Sequence, residues 1–481
     1  MSDILQPDLC IVGGGASGLA LAAGASSREL SVVLVEKGEI GGDRLAQAIP
    51  SHALLAASRF AASLRAGKHF GIDVDAPRID FAQVRAHIAA IAAELAPNYS
   101  LARLEAMNVK VIRAPGRFTR ADTLDAGGTT IKARHFVIAT GASAKPLAIP
   151  GLDLIRPLTY TSLCRLEAPP RRLIVIGADP HGAALAQGLR RLGGEVVMLA
   201  PTKLFALEDE EFVAPVREEL ARDGVVIHEY AKILKVEPQG DGIGVIIARA
   251  TSEAKTEKET IEGSHILIAA GEAPLVEGLG LAAAGVRYDA TGIQVNADMR
   301  TRNRRIYAIG AVVRDARSAG AAEYHASAVL RHLLRPRFEL SIWRRRRPAI
   351  ARVILTDPEI AVTGLSETEA RERRRHIRVL RWPFSETDRA RIAHASAGHV
   401  KLITSPGGRV LGAGIVGPAA GELINLCTLA ISRGMTATDL ASMMVPYPTL
   451  ADAPRRAAMT VREWDGNPVS WCVMRLLRWL G

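Results

Sequence analysis

The chain has 481 residues, 48% hydrophobic and 23% charged, the balance of a soluble globular protein with room for about three domains. Its net charge of +11 reads as an Arg-rich solvated surface. With aromatics at 4% and no run alternating basic with aromatic residues, a nucleic-acid groove is not expected. No stretch reaches the ~18 apolar residues of a membrane span, and Cys10, Cys164, Cys427 and Cys472 lie too far apart in sequence for a zinc motif, so free buried thiols in a reducing compartment are expected.

The opening MSDILQPDLCIVGGG carries neither a basic leader nor a long apolar run, which predicts a cytoplasmic protein. LCIVGGGASGLALA (9–22) reads as strand, glycine turn and Ala-rich helix, and SVVLVEK (31–37) as a second strand. In this pattern Gly13 makes the turn, Gly15 admits a pyrophosphate to the backbone, and Gly18 lets helix and strand pack closely. Free N–H groups at the helix start face the anion, and Glu36, ending the second strand, is placed to accept ribose hydroxyls. Segments 53–66 and 80–106 carry Ala, Leu and Ile at three- and four-residue spacing and are predicted helices. FVIATGA (136–142) is an apolar strand ending in a glycine turn.

The same order returns in LIVIGADPHGAALA (173–186), EVVMLAP (195–201) and ILIAAGE (266–272), the beginning of a second dinucleotide-type fold. Here Gly177 and Gly182 persist, but Asp179 replaces the middle glycine and Pro180 follows it. Asp then Pro is a good N-cap and first-turn pair. The carboxylate competes for the N–H groups that would hold a pyrophosphate, and repels each charge by ~4 kcal/mol at ~4 Å with an effective dielectric of ~20. Ala200 stands where an acid would hold an NAD ribose, and a single Lys203 is the base available to a 2′-phosphate. These features argue against NAD(P) binding in the usual mode. SIWRRRRPAI (341–350) reads as a solvated linker, with a phosphate-binding patch as the alternative. Beyond it ARVILT, HVKLIT and VLGAGIVG read as strands and GELINLCTLAISRG as a helix. The basic, amphipathic tail SWCVMRLLRWLG suits docking on the chain itself or on a second subunit, with peripheral membrane contact as the alternative.

The blocks FVIATGA, RIYAIGA, TDPEIAVTGLSETEA, GAGIVGPAAGELI and YPTLAD, with the first fingerprint, resemble in order and spacing the pyridine nucleotide–disulfide oxidoreductase family, which includes dihydrolipoamide dehydrogenase, glutathione reductase and mercuric reductase. The resemblance runs from residue 8 to about 460, and APNYSLARLEAMNVKVI (96–112) is similar to the mercuric-reductase-like branch. It implies an α/β fold with two Rossmann-like dinucleotide-binding domains, of FAD and NAD(P) type, and a C-terminal α+β dimerisation domain. The implied layout is 1–150 for the first part of the FAD domain, 151–270 for the NAD(P)-like domain, 271–340 for the returning central part and 341–465 for dimerisation, with the amphipathic basic tail, 466–481, beyond it. A homodimer through the C-terminal domain is implied with it.

Carried over residue by residue, the resemblance also shows losses. The family's redox cysteine pair, in the helix after Gly41 and Gly42, matches Arg44 and Ala48, with one residue missing between them. Thiol–disulfide exchange requires a thiolate, so reduction of a disulfide or of mercuric ion through such a pair is excluded. The family's lysine near the flavin matches His52 and its glutamate partner matches Ala184, a joint loss that leaves neither charge buried alone. The proton-transfer histidine matches Tyr447 and its acidic orienter Asp452. A tyrosine titrates near ~10, so Tyr447 is a hydrogen-bond donor or acid, or simply fills the histidine's space.

For FAD, Gly13, Gly15, Gly18, Glu36, Gly41, Gly42, Thr140 and Gly141 remain, and Gly116 matches a backbone contact on the adenine side. The second fingerprint reads Gly310-Ala311 where the family has an aspartate on the ribityl chain, a loss of ~1–3 kcal/mol. His181 and His325 read as packing residues, and no metal-ligand spacing is found. The expectation is an FAD-dependent oxidoreductase with no dithiol centre, exchanging electrons or hydride directly between flavin and an acceptor. The alternative is a catalytically silent dimeric homologue acting as a binding or scaffold protein.

Overall fold

A computed structural model describes residues 4–75, 77–240, 242–250, 256–314, 321–334 and 349–464. The chain divides into two compact units, one of Met1–Ala206 with Leu220–Ser341 and one of Leu207–Glu219 with Ile342–Gly481.

The first unit holds two parallel sheets. In one, the strands run Ile306–Ala308, His135–Ile138, Leu9–Val12, Val32–Glu36 and Val109–Arg113. In the other they run Val226–His228, Glu195–Leu199, Arg172–Ile176 and His265–Ile268. Parallel sheets are covered on both faces, so their strands are apolar without alternation. Leu9, Cys10 and Ile11, and likewise Leu173, Ile174 and Val175, are wholly buried. The repeat read from sequence is repeated in space. Gly13 and Gly177 both have φ +115°, and a Cβ on either would sit 2.3 Å and 2.0 Å from the carbonyl oxygens of Ala139 and Ala269, respectively. Each central strand can therefore turn only at glycine, because the neighbouring strand's backbone crosses directly above it.

Two helices differ from their expected spans. The one expected at 53–66 begins earlier, as Ile49–Arg65, with Pro50 in its first turn. The 80–106 pattern is broken. Asp80 caps the helix Phe81–Leu95, a short 3₁₀ segment Ala96–Tyr99 containing Pro97 follows, and Ser100 caps a new helix, Leu101–Ala106. Proline lacks the N–H that would continue the ladder, and Ser100 restarts it by accepting the Arg103 N–H.

The second unit is built on a five-stranded antiparallel sheet ordered Ala351–Ile354, Glu359–Gly364, Val410–Gly417, His399–Thr404 and Arg378–Pro383. The helices Ala420–Arg433 and Asp452–Trp464 pack on it. Segment 207–219, inside the expected 151–270 domain, groups here because its charges are answered here. Lys401, with a side chain only 2% exposed, bonds Asp209 (2.6 Å), Glu211 (2.9 Å) and Glu367 (2.6 Å). Arg381 bonds both Glu211 oxygens, and Arg352 pairs with Glu208. The Phe212 ring fills the space above Gly414, where a Cβ would lie 2.2 Å from it.

Candidate functional site

The first turn is open. The helix Ala16–Ser26 starts at Gly15 with no side-chain cap, so its leading N–H groups await an acceptor from outside the helix. A Cβ on Gly15 would meet nothing within 4 Å, whereas one on Gly18 would lie 1.9 Å from the Gly13 carbonyl oxygen. Gly18 is thus required by packing, and Gly15 borders free space. Glu36 is fixed beside the turn, taking the Gly14 N–H on Oε2 (2.5 Å) and the Gly38 N–H on Oε1 (2.7 Å). Gly41 donates to the Gly14 carbonyl at 3.0 Å, and Gly42 packs against the Gly15 backbone.

Thr140 donates to the Leu275 carbonyl at 2.7 Å beside Gly141, whose φ is +75°. Gly116 packs on Val12 and Val35 at the strand ends. Gly310 packs on Ser17 and donates its N–H to Nδ1 of buried His325 at 3.1 Å, while Ala311 is exposed. Burial lowers the His325 pKa, in keeping with its acceptor role. This arrangement fits a dinucleotide: donor N–H groups at an uncapped helix start, an acceptor carboxylate at the second strand's end, and open space beside Gly15.

The second turn is filled. Asp179 caps the helix Pro180–Arg191, its Oδ1 accepting the Gly182 N–H at 2.8 Å. Its Oδ2 accepts the Gly271 N–H at 3.1 Å and the hydroxyl of buried Tyr160 at 2.5 Å. Burial, then the Asp179 charge, pushes the Tyr160 phenol far above its ordinary pKa, so it remains a donor. His181 sets its ring edge-on to Tyr160, with centroids 4.5 Å apart. Its Nε2 is buried without a hydrogen-bond partner, and burial holds the imidazole neutral. Solvent reaches Asp43 and Glu272, yet surrounding protein raises both pKa values; Glu36 adds to the first shift, and Asp43 and Asp179 to the second.

Between the turns in sequence, Arg44–Ala48 forms a π-helical turn. Arg44 reaches Glu323 at 3.5 Å. His52 is exposed on the following helix, with its pKa lowered by the protein around it and by Arg59. Ala184 is buried on the helix Pro180–Arg191. Cys10, Cys164 and Cys427 are buried free thiols; burial raises all three, Cys427 to about 12. Cys164 lies 3.6 Å from Ser51 Oγ, so one thiol approaches the 49–65 helix without a second beside it among the described residues.

In the second unit a cavity of about 200 Å³ is lined by Asp388, Met444, Tyr447, Asp452, Arg455 and Arg456, among others. The structure does not join Tyr447 to Asp452. Tyr447, 81% exposed, donates its hydroxyl to Asp388 at 3.1 Å, and that bond raises its pKa. Asp452 is held by Arg455 at 2.8 Å and Arg456 at 2.9 Å, which outweigh burial and keep its carboxyl below the usual range. The ALEDEEF segment does bring Asp209 and Glu211 together with Glu367, close enough for a cation, and the cation there is Lys401.

Residues 7–326 match the pyridine nucleotide-disulphide oxidoreductase model, and residues 350–458 match that family's dimerisation domain. The chain belongs to the pyridine nucleotide–disulphide oxidoreductase family. It is 32% identical to a dihydrolipoyl dehydrogenase of Thermus scotoductus over 95% of this chain and 97% of that protein. It is 29% identical to a mercuric reductase of Bacillus cereus over 97% of this chain and 73% of that one. Among solved structures, LpdA from Mycobacterium tuberculosis superposes with a TM-score of 0.82 at 27% identity, covering 95% of this chain and 99% of the other. The family's members are FAD-dependent oxidoreductases, and NAD(P) binding occurs in the same family.

Four residues of these networks carry no signal in the sequence. Tyr160, Glu272, Asp388 and Lys401 are single residues in ordinary strand or helix contexts, and only their partners mark them. The 344–347 arginines and the 466–481 tail lie outside the described residues, and no helix among the described residues is long and apolar enough to cross a membrane.

Proposed function

We propose that this chain is an FAD-dependent oxidoreductase that works without a dithiol, exchanging electrons directly between flavin and an acceptor. One contrast carries the reading: the Gly15 turn is uncapped and open, while the positions matching the cysteine pair are Arg44 and Ala48. When bound, the isoalloxazine supplies the two-electron chemistry. The leading N–H groups of Ala16–Ser26 hold the pyrophosphate and Glu36 the adenosine ribose. Gly41, Gly42, Gly141 and Gly310 let backbone approach the cofactor, and Ala311 leaves the ribityl chain without its carboxylate. Neutral His52 is the side chain assigned to proton handling at the matching lysine position. The protein forms a homodimer through residues 350–458, the part matching the dimerisation domain.

The test is the visible spectrum of the purified protein. A flavin band that bleaches with dithionite and returns with a quinone, dye or oxygen supports the reading. A colourless protein that takes up no added FAD overturns it.

A second reading, a silent dimeric scaffold, is favoured by the engagement of Tyr447 with Asp388 and of Asp452 with two arginines. Reoxidation of the reduced protein no faster than that of free flavin would select it.

A further inference from the structure

We propose that the second glycine turn is sealed against pyridine nucleotides by its own side chains, with the Asp179 carboxylate standing where a pyrophosphate would be held and Tyr160 locking it there. The inference deepens the flavoprotein reading by excluding NADH and NADPH as donors; reducing equivalents then arrive from a donor without a dinucleotide pyrophosphate.

Comparing the two helix starts supports it. At Ala16–Ser26 no side chain caps the leading N–H groups. At Pro180–Arg191 the supply is reduced: Pro180 has no N–H, and Gly182 gives its own to Asp179 Oδ1. The Asp179 N–H goes to the Ala269 carbonyl at 3.2 Å, and the Gly271 N–H, across the turn, is also taken by Asp179. Swinging Asp179 aside would strand the hydroxyl of Tyr160, which is only 6% exposed, and a buried unpaired donor is costly. Glu272, directly after Gly271, adds a second carboxylate on the approach, and Ala200, wholly buried, offers no acid for a ribose. Charge, donor supply and the missing ribose acceptor all oppose a dinucleotide.

The experiment titrates the intact, flavin-loaded protein with NADH and NADPH, following nicotinamide fluorescence and equilibrium dialysis. The wild type is expected to show no saturable binding up to about 1 mM, the upper end of ordinary Michaelis constants. Asp179→Asn and Asp179→Ser keep a side-chain oxygen for the helix start but drop the charge; each is expected to bind at least tenfold more tightly than wild type. Saturable binding by the wild type overturns the proposal, as does failure of both folded variants to gain affinity. Flavin absorbance of the same preparation reports separately on the FAD assignment, so the two readings fail independently.

Discussion

Gly15 and Asp179 hold the same place in two copies of one turn, each the N-cap of the helix that follows its central strand. Beyond Gly15 there is nothing within 4 Å of a built Cβ; Asp179 puts a carboxylate at its turn and bonds it to Gly182 at 2.8 Å. A fold that duplicates an anion cradle has left one without a side-chain cap and filled the other from within. The same helix-start physics, N–H groups seeking an acceptor, serves ligand binding in one case and internal capping in the other.

Gly15→Asp should convert the first turn into a copy of the second. The backbone there is extended at φ −78°, and a Cβ meets nothing within 4 Å, so folding is expected to be retained. Flavin is expected to be lost, with repulsion of ~4 kcal/mol per charge pair at close range. The flavin-to-protein absorbance ratio after gel filtration checks this; a ratio equal to wild type contradicts it.

Ala311→Asp should act in the opposite direction. Position 311 is exposed, so a carboxylate can be accommodated there. FAD affinity is expected to rise by ~1–3 kcal/mol, the worth of a charge-assisted hydrogen bond. Calorimetric titration of apoprotein with FAD measures it, and an unchanged dissociation constant would remove the ribityl assignment.

Gly18→Ala and Gly15→Ala separate packing from binding. The first puts a Cβ 1.9 Å from a backbone oxygen that cannot give way and should cost about 3 kcal/mol or more of stability. The second should leave the urea midpoint near wild type, because its Cβ enters open space.

Lys401→Met should be among the most damaging substitutions in the second unit. Removing the ammonium leaves Asp209, Glu211 and Glu367 facing one another; because these carboxylates are partly solvated and Glu211 keeps Arg381, the expected cost is about 1–3 kcal/mol. Chemical denaturation of wild type and variant reads the difference.

The same cluster sets an acid limb. Hydrogen bonds from Arg381, then those from Lys401, hold the Glu211 carboxyl at about 2, down from 4.5. A depressed folded-state pKa means the contribution is complete above the unfolded value of 4.5 and is lost as pH falls toward 2. The wild-type urea midpoint should fall more steeply than that of Glu211→Gln between about pH 5 and about pH 3. Parallel curves would show that Glu211 is not the group responsible.

Much of the first site was readable in order along the chain. Strand, glycine turn, helix and terminal acid are local patterns, and a Cβ-free residue at Gly13 or Gly18 is demanded by the turn itself, so Gly13, Gly15, Gly18 and Glu36 announce themselves. The missing sulfur at Arg44 and Ala48 is equally a matter of residue identity, as is the Asp179–Pro180 capping pair. Tertiary structure alone decided the partners. It sent the Tyr160 hydroxyl across 19 residues to Asp179, gave Tyr447 to Asp388 instead of Asp452, and recruited the ALEDEEF acids to Lys401 from about 190 residues away. Local propensity acts over a few residues of backbone, whereas a hydrogen bond or ion pair depends on distances that exist only once the sheets have packed. One chain can therefore state where its turns are and still be silent on which of them is closed.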